Sequence, residues 1–180
     1  MGELIDRLER LAVEVRSLDG TITATVRGRY QIQLEFLPGT YARRTEDELA
    51  YQLGQLAAVV CARYRREYTE MVAVFYDGDD FLDEEAPHDV AFRERLAQMV
   101  VIGGSAQRWI TIRSRALVRW DVTVADGAVR TLTEEEFLGQ ANSALADVLA
   151  DYQSQLIMLT DEMYDIGVPN SLRRSAADRW

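Results

Sequence analysis

The chain has no lysine. All of its 20 basic residues are arginine, set against 30 Asp plus Glu, so the formal net charge is −10 over 180 residues. An all-arginine complement points to a GC-rich coding sequence and says little about chemistry. There is one cysteine, Cys61, which excludes an internal disulfide framework and a multi-cysteine metal site. There is one histidine, His88, which excludes a two-histidine metal site. No uncharged stretch is long enough to cross a bilayer; Met99–Gln107 is uncharged but short and includes two glycines and a Ser. The opening MGELIDRLERL alternates in charge, unlike a signal or transit peptide, so the expected compartment is the cytoplasm. An apolar fraction of 48% fits a globular chain and is too high for an intrinsically disordered one.

What is present is a repeat. Thr45-Glu46-Asp47-Glu48-Leu49 and Thr133-Glu134-Glu135-Glu136-Phe137 lie 88 positions apart. The same offset, without a gap, places Arg7-Leu8 on Arg95-Leu96, Ser17 on Ser105, Ile22-Thr23 on Ile110-Thr111 and Arg27 on Arg115. It also places Gly39 on Gly127, Gln52 on Gln140, Ala58 on Ala146, Ala62 on Ala150 and Tyr64 on Tyr152. Internal similarity at a fixed offset marks repeated supersecondary units.

Periodicity gives each copy the same elements. Ile22, Ala24 and Val26 alternate with polar residues, and after Gly28 so do Tyr30, Ile32, Leu34 and Phe36. Ile110 and Ile112, then Val118, Trp120, Val122 and Val124, do the same in the second copy. Each pair reads as two antiparallel strands with one buried face. A short third strand is expected at Ala128–Leu132, after the Asp126-Gly127 turn, with a counterpart at Thr40–Arg44. Thr45-x-x-Glu48 and Thr133-x-x-Glu136 fit the capping box, and each opens a long amphipathic helix. The first carries Leu49, Leu53, Leu56, Val60 and Tyr64 on its stripe, the second Phe137, Ala141, Ala144, Val148 and Tyr152. Shorter helices precede the strands, with Leu4, Leu8, Leu11 and Val15 in one copy and Phe92, Leu96 and Met99 in the other.

The expected fold class is therefore α+β, with units at residues 1–76 and 90–166, an acidic linker at 77–89 and a mobile tail at 167–180. The linker holds Asp77, Asp79, Asp80, Asp83, Glu84, Glu85 and Asp89; a calcium loop counted from Asp77 would need Gly where Leu82 stands.

The run Asp19-Gly20-Thr21-Ile22-Thr23-Ala24-Thr25-Val26-Arg27-Gly28-Arg29, the strand ending in Phe36-Leu37-Pro38, and Thr45-Glu46-Asp47-Glu48-Leu49 resemble the YbaB/EbfC family over residues 1 to about 72. The second copy departs from the pattern, with Arg108 in place of Gly20 and Ala116 in place of Gly28. The resemblance implies small α/β units that form homodimers, several of which bind DNA and associate with the nucleoid. Related cores occur in actinobacterial proteins associated with type VII secretion. Two fused copies would then form an intramolecular pseudo-dimer with antiparallel sheets and two long helices, as a monomer or a higher homo-oligomer.

No catalytic, metal or cofactor set emerges, and no enzyme is expected. Gly103-Gly104-Ser105 lacks the lysine and glycine spacing of a phosphate loop. Cys61 sits beside an apolar stripe, where it reads as a small hydrophobe. Glu134–Glu136 have a structural role, since acids oppose the dipole at a helix N-terminus. Two binding readings remain. The first is a protein-interaction module, adaptor or chaperone-like, using Trp109, Arg113, Arg115 and Arg119 on the polar face of the second strand pair. The alternative is DNA binding through Arg27, Arg63, Arg65, Arg66 and Arg115. A net −10 chain lacks the long-range attraction to phosphate that drives non-specific DNA binding. The helix cluster Arg63, Arg65 and Arg66 becomes Asp151, Gln153 and Ser154 in the second copy. A protein partner is therefore placed ahead of DNA. No membrane role is expected.

Overall fold

The computed structural model describes residues 7, 9–28, 31–75 and 87–167. The expectations for Leu4, Leu8 and Tyr30, for most of the acidic linker and its calcium loop, and for the tail past Gly167 fall outside this set. The chain is α+β. Strands β1 (Ala12–Arg16), β2 (Ile22–Arg27) and β3 (Gln31–Phe36) form one antiparallel sheet in that order. Helix α1 (Glu46–Phe75) follows, then α2 (Pro87–Gln98). Strands β4 (Val100–Gly104), β5 (Ile110–Arg115) and β6 (Arg119–Val124) form a second antiparallel sheet, followed by the single turn α3 (Ala128–Thr131) and the helix α4 (Glu134–Tyr164). The strands of the second sheet start 88 positions after those of the first, and so does α4 after α1.

Each sheet has a third strand, and it lies before the hairpin rather than after it. Helical backbone at Arg7, Glu9 and Arg10 ends there, and β1 takes up Val15, a residue expected on that helix. Leu11, Val13 and Val15 face the core between exposed Ala12, Glu14 and Arg16, a period of two rather than of three to four. β-Branched Val13 and Val15 gain from pairing with Val26 and Ala24 of β2. Met99 likewise closes α2 and leads into β4, with Val101, Gly103 and Ser105 turned inward. The strands expected at Ala128–Leu132 and Thr40–Arg44 are instead one helical turn and a 3-10 turn at Tyr41–Arg43. Five residues between the left-handed Gly127 and the capping Thr133 leave room for one turn, which buries Ala128 completely. The stretch read as linker ends early, because α2 begins at Pro87; proline suits the first position of a helix, where no N–H is needed.

Both capping boxes form. Thr45 Oγ1 accepts from Glu48 N (3.2 Å) while Glu48 Oε2 accepts from Thr45 N (3.0 Å), and Thr133 and Glu136 repeat the exchange at 3.2 and 2.7 Å. Behind them the expected stripes are buried: Leu49, Leu53, Leu56, Val60 and Tyr64 on α1, Phe137, Ala141, Ala144 and Val148 on α4. Helix α1 packs on β1 and β2 of its own sheet and on β6 of the other; α4 packs on β4 and β5 and reaches across to β3. One continuous core results. At the junction Phe36, Tyr41 and Phe137 stack with centroids 5.2–6.0 Å apart, Tyr41 Oη donates to Leu132 O (3.2 Å), and Glu46 Oε1 accepts from Val129 N (3.2 Å). Burial, with the charges of Glu46, Glu134 and Glu136 nearby, pushes the Tyr41 phenol up to about 12.

Close approach is paid for with glycine. A Cβ at Gly103 would stand 2.4 Å from Val148 N and 2.8 Å from Ala144 O, so β4 touches the backbone of α4. Gly104, its neighbour, has nothing nearer than 3.8 Å. Gly103→Ala is expected to lower stability in urea denaturation by about 2 kcal/mol or more through overpacking, and Gly104→Ala by far less. Equal effects would contradict the packing described.

Candidate functional site

The solvent face of the second sheet collects the arginines singled out in the sequence. Register places Arg113 between Ile102 and Asp121, and Arg115 between Val100 and Arg119. Arg113, Arg115 and Arg119 are exposed, and so are Ile102 (42%) and Val118 (53%). The face thus carries three arginines, with exposed Ile102 and the acid Asp121 on either side of Arg113; Val118 has the parity of the inward residues of β6 and lies in the turn. Trp109 stands at the start of β5, half-buried and packed against the core. It shares the parity of Arg113 and Arg115. The corresponding face of the first sheet carries Thr23, Thr25 and Arg27 of β2 between Glu14 and Arg16 of β1 and Gln31, Gln33 and Glu35 of β3.

The helix arginines are dispersed in their contacts. Arg63 Nε pairs with Glu67 (3.2 Å) and its Nη1 donates to Glu14 O (3.2 Å); Arg66 pairs with Glu70 (2.7 Å). Arg65 turns the other way, donating to Leu117 O at 3.2 Å. Arg27 is exposed at the end of β2.

A cleft that sequence reading missed opens beside Arg65. Its volume is about 480 Å³, and its walls come from the C-terminal half of α1, from α2, from the β5–β6 turn and from α4. Tyr64, Tyr68, Leu117, Trp120 and Tyr152 are among its lining residues, together with Arg65 and Arg93. Tyr64 and Tyr68 stack with centroids 6.4 Å apart, and Tyr64 Oη donates to Gly28 O (2.7 Å). The β5–β6 turn is strained: Ala116 and Leu117 both have φ near +53°, the backbone of a two-residue primed turn that ordinarily uses Asn and Gly. Non-glycine residues there cost of order 1 kcal/mol each. The turn is held because buried Leu117 fills the wall and its carbonyl accepts from both Trp120 Nε1 (3.2 Å) and Arg65. The only signal for this in the sequence was the replacement of Gly28 by Ala116. Burial pushes the Cys61 thiol, in the floor of the cleft, up to about 11 against the lesser pull of Arg65.

Asp151, noted in the sequence only as a change of charge, turns out to be structural. It is buried, and its Oδ2 accepts from Ile102 N and from Gln155 Nε2, both at 3.0 Å. Asp147 Oδ2 accepts from Gly104 N (3.0 Å) and Gln155 donates to Val100 O (2.9 Å). Three α4 side chains, spaced four apart, thereby satisfy alternate backbone groups along the outer edge of β4.

Comparison with family models, with curated proteins and with solved structures gives no match.

Because burial raises the Cys61 thiol to about 11, little thiolate is present at neutral pH; Cys61 is expected to react with alkylating reagents far more slowly than free cysteine, and to recover that rate on unfolding. Rapid alkylation of the folded chain, followed by mass spectrometry, would contradict the placement.

Proposed function

We propose that this chain is a non-catalytic protein-interaction module, an adaptor or chaperone-like partner, built as a tandem YbaB/EbfC-like pseudo-dimer. The tandem reading is supported by more than the order of elements. Left-handed backbone recurs at the same offset, at Gly20 and Arg108, Gly28 and Ala116, and Gly39 and Gly127, although the glycine itself is lost twice. Ser17 Oγ accepts from Ile22 N as Ser105 Oγ does from Ile110 N. Gln52 and Gln140 each reach the β1–β2 or β4–β5 turn. In each half the long helix packs on the other half's third strand.

The interaction reading rests on a single observation. At matching positions of the two solvent faces, the second sheet carries Arg113, Arg115 and Arg119 with exposed Ile102 and one acid, Asp121, where the first sheet mixes Arg16 and Arg27 with Glu14, Glu35, threonines and glutamines. Arginine beside exposed aliphatic surface is the composition of protein interfaces. Duplex DNA is less well served. Arg63 and Arg66 stand beside the acids Glu67 and Glu70, Arg65 is turned to Leu117 O, and the net charge is −10. The association with type VII secretion implied by the resemblance belongs to the same proposal and gives the first partners to try.

Arg113→Glu combined with Arg115→Glu is expected to abolish co-purification of the chain's cross-linked cellular partner while leaving the thermal transition within a degree or two, because both side chains are exposed. Undiminished recovery of that partner would remove this face as the contact.

A further inference from the structure

The two sheets differ at their outer edges, and the difference is chemical. Strand β4 presents the backbone groups of Val100, Ile102 and Gly104 outward, and Asp147, Asp151 and Gln155 of α4 bind them. Strand β1 presents Ala12, Glu14 and Arg16 outward in the same way, since Leu11 O and Ser17 N bond inward to β2. The α1 residues at the matching places are Val59, Arg63 and Glu67. Of these, only Arg63 reaches the edge, at Glu14 O (3.2 Å). Val59, one turn away on the same helix face, is 51% exposed, and Leu18 at the end of β1 is 90% exposed. Among the described residues this strand edge is otherwise uncovered, and such an edge flanked by exposed aliphatic residues invites another strand.

The edge is complementary to itself. We propose that β1 pairs with β1 of a second copy, antiparallel about a twofold axis at Val15. In that register Glu14 opposes the partner's Arg16, and Arg16 opposes the partner's Glu14. Ala12 meets the partner's Leu18, and Val15 meets its own equivalent. The outward residues, read Ala12, Glu14, Arg16, Leu18 in one direction, match apolar to apolar and acid to base in the other. Four backbone hydrogen bonds form between the Glu14 and Arg16 pairs, and one six-stranded sheet runs through both molecules in the order β3-β2-β1-β1-β2-β3. Shifting the register by two residues sets Glu14 against Glu14 or Arg16 against Arg16, which like-charge repulsion disfavours. Arg63, whose guanidinium side chain is 58% exposed and held by a surface pair, swings aside at small cost. The contact is short, which places it among weak and transient interfaces. It is separate from the arginine face of the second sheet and stands whether or not that face takes a partner.

Sedimentation equilibrium of the full chain, from about 1 μM to about 1 mM, tests this. A monomer–dimer equilibrium is expected. Glu14→Arg and Arg16→Glu should each weaken it about tenfold, and the two together should restore it, because the register sets position 14 against position 16. Glu14→Pro removes an outward N–H that makes no bond within the sheet, so it should abolish the dimer while circular dichroism stays unchanged. A monomer at every concentration would overturn the proposal. So would a dimer indifferent to Glu14→Arg or Glu14→Pro, which would place the contact elsewhere, and so would failure of the double exchange to restore pairing.

Discussion

In each half the long helix, about 10 Å across, lies over the first two strands of its own sheet, whose strands are about 4.8 Å apart. The apolar face of the third strand is left for another element. Here β3 and β6 are the strands left over, and each is covered by the long helix that follows the other sheet. The burial of Ile22, Ala24, Ile110 and Ile112 in one core follows from that exchange, as does the stacking of Phe36 and Tyr41 on Phe137. Removing either half would expose a sheet face and a helix stripe together.

The two halves differ in how their edges are packed. Gly103 lets α4 settle onto β4 closely enough for Asp147, Asp151 and Gln155 to reach its edge. In the first half Val15 occupies the place matching Gly103, and among the described residues a hydrogen bond from Arg63 is the one side-chain contact to the edge of β1. Gly54 on α1 makes the opposite adjustment: a Cβ there would stand 3.1 Å from Trp120 O, so α1 leans toward the second sheet. Trp120, Leu117 and Arg65 meet where α1 leans, and the 480 Å³ cleft lies beside them. Small residues in two places therefore decide which edge is sealed and where a cleft opens.

Much of the frame was legible. Alternation over Ile22–Val26 and Ile110–Ile112, the two capping boxes and the stripes of both long helices reported their buried faces directly, since burial on one side leaves a period in the sequence. Strands β1 and β4 were not legible. Leu11 and Val15 stand four apart, as on a helix, and also two residues either side of Val13, as on a strand; only pairing with β2 decides between them. The arginine face was readable because exposed strand positions alternate. The sealed edge of β4 was not, because Asp147, Asp151 and Gln155 acquire their partners only once α4 lies across that strand. Nor was the Ala116–Leu117 turn, where tertiary contacts to the Leu117 carbonyl override local preference.

The exchange of helices between sheets makes the two halves a single cooperative unit. Native-state hydrogen exchange compares them directly, through the central amides of β2 and β5. If each sheet depends on the other's helix, those amides open with the same free energy, within about 0.5 kcal/mol, and that energy equals the global value from denaturant unfolding. Opening of one sheet at a free energy several kcal/mol below the other, with the second still protected, would contradict the account.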